Sequence, residues 1–108
     1  MHVIAYSPRG KIRRINIEWL YGLDIIDALS KEFDIEILDG SSDMEEVYKR
    51  ADVYIRPTRH DGMSIMILEC VSRGIPYIWS YETGKYVEPT VEYFRNRLNS
   101  IRNKLKNT

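Results

Sequence analysis

Two kinds of apolar pattern alternate along this chain, and their order constrains the fold more than any other feature. Short runs rich in β-branched residues are followed by longer stretches whose apolar positions recur every three or four residues. HVIAY (2–6) predicts a first strand, closed by Ser7, Pro8, Arg9 and Gly10. Trp19, Leu20, Leu23, Ile26, Leu29 and Phe33 predict one helix over about residues 17–32. DIEILDG then predicts a second strand ending at Gly40. Ser42, with Glu45 three residues on, predicts a capping box opening a short helix over 43–50, with Met44, Val47, Tyr48 and Ala51 as its apolar stripe. DVYIRPT is the third strand and MSIMILECVSRG a helix stopped by Gly74. IPYIWS is the fourth strand, with Pro76 at its start.

Strict alternation with near-continuous apolar strands argues for an α/β fold. The expectation is a single Rossmann-like three-layer domain, a four-stranded parallel sheet with helices on both faces. Right-handed crossovers select the strand order 2-1-3-4. Its switch point falls between the first and third strands, where open α/β sheets bind ligands, so the loops at residues 7–14 and 57–64 carry the expected site. The Rossmann-like part is expected over residues 1–86, and residues 87–108 form an amphipathic basic helix packed on it or on a partner. In that helix Val87, Val91, Phe94, Leu98, Ile101 and Leu105 step by four and three from a start near Pro89. The seam is too short for a convincing coiled coil, yet it predicts self-association or an exposed stripe.

Composition excludes several classes of function. The 108 residues, 44% apolar, suit one domain. Sixteen basic and sixteen acidic residues cancel, which argues against a nucleic-acid or membrane partner. The basic residues still cluster, in RGKIRR (9–14) and in the tail from Arg95 onward. No run has the length of a membrane span and no signal-peptide core opens the chain, so a cytoplasmic protein is expected. The single cysteine, Cys70, rules out an internal disulfide and is read, with Met63 and Met66, as core. No metal site is expected.

Glu69 stands inside the run Ile65, Met66, Ile67, Leu68, Cys70, Val71, where a carboxylate needs a partner. One reading is a ligand's hydroxyl groups; the other is an ion pair with Arg73, four residues on. The helix N-terminus at Ser64 and Ile65, opposite the basic loop, reads as an anion site, most naturally for phosphate. Gly62 would let a backbone approach closely. Arg9 with Arg14, or Arg13, are the candidate cations, against the reading that they only serve solubility. His60 is read as an exposed loop residue.

The stretch ADVYIRPTRHDGMSIMILECVSRGIPYI resembles the signature of the C-terminal, donor-binding domain of retaining glycosyltransferases of the GT-B type, group 1. The match runs through Ala51-Asp52, Pro57-Thr58, Gly62, Glu69, Gly74 and Pro76. The resemblance implies a nucleotide diphosphate sugar as donor substrate, with no further cofactor. It implies that Glu69 accepts hydrogen bonds from the ribose, that arginines after the first strand (Arg9, Arg14) pair with the diphosphate, and that Gly62, Met63, Ser64 and Ile65 line the donor site. Asp61 stands where the family has its first glutamate, beside the donor sugar, and completes a catalytic pair with Glu69. Two departures are plain. Asp61 is one methylene shorter, and between the second and third strands there is room for one helix where the family has an additional strand and helix.

Two functions of different class follow. One is the donor-binding half of a retaining glycosyltransferase, inactive alone and working with a separate acceptor-domain subunit. The alternative is a non-catalytic nucleotide-binding or protein-interaction module derived from such an enzyme.

Overall fold

The computed structural model describes residues 1–8, 11–12 and 15–107. In chain order the elements are β1 (His2–Tyr6), β2 (Lys11–Ile12), β3 (Ile15–Asn16), α1 (Ile17–Leu20), α2 (Leu23–Leu29), β4 (Asp34–Leu38), α3 (Met44–Arg50), β5 (Val53–Arg56), α4 (Ile65–Arg73), β6 (Tyr77–Trp79) and α5 (Val91–Lys106). Four strands form an all-parallel sheet in the order β4-β1-β5-β6, which is the expected 2-1-3-4. β2 and β3 make a small antiparallel pair inside what reads in the sequence as a loop.

The sheet is buried on both faces because each central strand is apolar at consecutive positions. Val3 and Ala5 of β1, Val53 and Ile55 of β5 and Ile78 of β6 point to one face, where Ile25, Ile26 and Leu29 of α2 and Phe94 and Leu98 of α5 cover them. Ile4 and Tyr54 point to the other, under Val47 and Tyr48 of α3 and Ile67 and Cys70 of α4. Period-two strands and period-3.6 helices meet here as two separate cores. No described helix is long and apolar enough to cross a membrane.

Three local expectations need correction. The helix expected over 17–32 is broken in two. Gly22 takes φ +75° between α1 and α2, and a Cβ placed there would lie 2.1 Å from the Pro57 carbonyl oxygen. The break is therefore required by a backbone approach from the loop after β5, which no local pattern reveals. That loop also satisfies the end of α1: Arg59 donates its backbone N–H to the Leu20 carbonyl (2.8 Å) and its side chain to the Trp19 carbonyl (2.7 Å). The cap of α3 is Asp43 rather than Ser42, its carboxylate accepting from the Glu45 N–H at 3.2 Å.

The third correction concerns α5. Its stripe lies on the chain's own sheet, with Phe94 and Leu98 fully buried and Val91 and Ile101 packed beside them; of the six expected positions Val87, which precedes the helix, and Leu105 are exposed. Thr90 caps its start by accepting from the Tyr93 N–H.

Candidate functional site

At the carboxyl ends of the two central strands a cleft of about 400 Å³ opens. Tyr6 ends β1 and Arg56 ends β5, Tyr21 reaches in from the break between α1 and α2, and Gly40 and Met44 close the side next to β4. Met63, Ser64, Ile65 and Met66, at the start of α4, form the remaining wall. This is the switch point of the sheet, where neighbouring connections leave in opposite directions.

Ser64 sets the start of α4. Its hydroxyl accepts from the Ile67 N–H at 3.2 Å, and Gly74 ends the helix in the left-handed region at φ +69°. The first-turn N–H groups of Ile65 and Met66 have no acceptor within the helix, and they stand at the cleft wall. Met63, Ser64 and Ile65 thus line the cleft. Met63 is no core residue, however, but 80% exposed, and a Cβ at Gly62 would meet nothing within 4 Å, so this chain's own packing does not demand glycine there.

Asp61 does not face an open site. It is held in a fork by Arg56, whose Nε donates to Oδ2 at 2.6 Å and whose Nη2 donates to Oδ1 at 2.9 Å. The Thr58 hydroxyl (3.0 Å) and the Trp79 indole N–H (2.8 Å) also donate to Oδ2. The side chains of Arg56 and Asp61 are only 10% and 7% exposed. Burial alone would raise the Asp61 pKa. Arg56, Trp79 and Thr58 more than reverse it, so the carboxyl sits below its ordinary value and stays ionised. Arg56 also donates through Nη1 to the Tyr54 hydroxyl at 3.0 Å and packs against the Tyr21 ring, 5.4 Å from its centroid. Burial raises the pKa of Tyr54, which stays a neutral phenol. Ser80 extends the network by donating to the Thr58 carbonyl at 2.5 Å.

Glu69 lies one turn beyond the cleft wall and is half-exposed. It pairs with Arg73, which also donates to Glu45 at 2.6 Å and stacks over Tyr48 at 4.5 Å. The ion-pair reading of this residue therefore describes its contacts. The apolar run around it misleads because α4 is apolar on two sides: Ile67 and Cys70 are buried, whereas Ile65, Leu68 and Val71 are exposed. Glu69 stands among residues that face solvent, and its charge is not buried. Asp61 and Glu69 consequently belong to two separate clusters. Arg9 and Arg14 lie outside the described residues.

Sequence reasoning missed Arg56, Tyr6 and Tyr21 as cleft residues and Trp79, Thr58 and Ser80 as their support. One signal was available: Arg56 is the single charge closing an apolar central strand, at the sheet edge where ligands bind. Among the described residues no cluster of three or more His, Cys, Asp or Glu side chains could hold a metal ion. No family model, curated protein or solved structure matches this chain.

Proposed function

We propose that the chain binds a nucleotide diphosphate sugar and serves as the donor-binding half of a retaining glycosyltransferase, its acceptor wall supplied by a separate domain. The observation that carries this reading is the cleft at the switch point, walled on one side by the first turn of α4. Unpaired amides at a helix N-terminus suit a diphosphate, and their bonds strengthen as charge develops on the leaving group. Ile65 and Glu69 are four residues apart and so lie one above the other along α4, which puts the carboxylate within a turn of the diphosphate position, where a ribose would follow. Arg9 and Arg14 are the proposed further cations. Nothing in the cleft encloses a reacting carbon against water, so the chain alone transfers no sugar.

The second reading, a non-catalytic nucleotide-binding or interaction module, is favoured by one observation. Asp61, in the position of the sugar-side carboxylate, has its oxygens engaged by Arg56, Thr58 and Trp79. The first reading requires nucleotide binding, and so does the second in its nucleotide-binding form. Calorimetric titration with nucleoside diphosphates and their sugars is the test, and an isolated chain that binds none of them removes the donor-binding reading and leaves only the interaction module. Glu69→Gln separates ribose binding from structure. A ribose acceptor loses about 1–3 kcal/mol of nucleotide affinity with the melting midpoint unchanged. Unchanged affinity with a lowered midpoint assigns Glu69 to Arg73 alone.

A further inference from the structure

Amides at a helix start carry partial charges and a diphosphate carries whole ones, so a cleft that holds a diphosphate gains from a cation in its wall. Among the described residues lining the cleft, Arg56 alone is charged. Its side chain is only 10% exposed, yet its donors are not used up. A guanidinium carries five N–H donors and no acceptor. Asp61 takes one from Nε and one from Nη2, and the Tyr54 hydroxyl takes one from Nη1. Each terminal nitrogen therefore keeps one that these partners do not use. Donors on two neighbouring nitrogens suit two oxygens of one phosphate.

The clamp to Asp61 also sets where this cation stands. In the donor-binding reading Asp61 is on the sugar side and the first turn of α4 on the diphosphate side. Arg56 holds the former and shares the cleft wall with Ser64, Ile65 and Met66 of the latter. Tyr21, packed against the guanidinium, and the Tyr54 hydroxyl keep its plane in place. The same carboxylate that fixes the guanidinium repels a second anion brought to its far side, and in a buried setting that repulsion is weakly screened.

We infer that Arg56 is a cation for the diphosphate, and that Asp61 both positions it and moderates its pull on anions. This rests on the donor-binding reading given above. Asp61 is then a positioning residue toward the diphosphate, and removing its charge should tighten binding rather than abolish it.

The test is titration of the full chain with inorganic pyrophosphate, ADP, GDP and UDP. It is followed by calorimetry and by the NMR signals of the Arg56 Nε–H and the Trp79 indole N–H, both of which donate to Asp61. In the wild type both signals are expected to shift in step with binding. Asp61→Asn should bind the best of these ligands at least about tenfold more tightly than the wild type does. Arg56→Lys keeps a charge for Asp61 but loses the planar fork, and should bind it about tenfold more weakly. If either variant does not fold, the other and the wild-type signals decide. A diphosphate that binds while the Arg56 signal stays still, or that binds a folded Asp61→Asn no more tightly than the wild type, overturns the inference and leaves nucleotide binding standing. If the wild type binds none of the four, the inference falls together with the donor-binding reading.

Discussion

The two ends of the parallel sheet carry charge clusters of opposite kind. At the carboxyl end Arg56 and Asp61 are buried and share a network with Tyr54, Thr58 and Trp79. At the amino end the His2 ring meets Asp34 at 3.0 Å and Glu36 at 2.9 Å, and Arg50 holds Glu36 from the end of α3, all with substantial exposure to water. Both clusters tie together strands distant in sequence. Only the buried one has lost its solvent, so only there does removing one partner strand the other without water to replace it.

The largest effect should come from breaking the buried end. Asp61→Ala leaves Arg56 without its counter-ion and is expected to cost about 3–5 kcal/mol in denaturant unfolding. Replacing both together, Arg56→Met with Asp61→Leu, should cost much less, because no charge is then stranded. A double variant as unstable as the single one would mean that the fork's contribution is not the charge pair. Gly22→Ala comes next. Its positive φ alone costs a side chain about 1–3 kcal/mol, and the contact with the Pro57 carbonyl adds to that, so a clear drop in the melting midpoint is expected.

The smallest effect is at the amino end, where pH is the tool. His2 has its pKa raised from 6.5 by its hydrogen bonds to Asp34 and Glu36. A raised value in the folded state means that its contribution is complete below 6.5 and fades as pH climbs through the higher value. Glu36 is lowered to about 2 by Arg50 and His2, so its contribution is complete above its ordinary 4.5 and is lost as pH falls toward 2. Asp61, also lowered, fades only on the acid side. The pH dependence of stability on the alkaline side should therefore change in His2→Ala by less than about 1 kcal/mol, whereas Asp61→Ala lowers the whole curve and leaves its alkaline slope unchanged. An alkaline limb unaltered in His2→Ala would remove the amino-end cluster from this account.

How much of this is legible in the sequence follows the same division. Strand positions and the 2-1-3-4 order are readable because Val3, Ile4 and Ala5, or Val53, Tyr54 and Ile55, are apolar on both sides, and connection rules leave few arrangements. The cleft's place, with Met63, Ser64 and Ile65 in its wall, follows from the switch-point rule. The break at Gly22 is not readable, since its cause is the carbonyl of Pro57. The fate of Asp61 is hidden for a similar reason: its partners come from β5, β6 and the loop between β5 and α4, and no spacing records that they converge. The exposure of Glu69 is not readable either, because the apolar run around it is not a buried one: three of its members face water.

The packing of α5 also bears on the order in which the chain can complete itself during synthesis. The face of the sheet beneath α3 and α4 draws all of its buried cluster from residues 4–75, so it can close before the last quarter of the chain exists. The opposite face needs Phe94 and Leu98, and until they are made Val3, Ala5, Val53, Ile55 and Ile78 lack the cover that α5 gives them. A nascent chain therefore carries a one-sided sheet, and its last helix is the piece that ends the exposure of apolar strands to other chains.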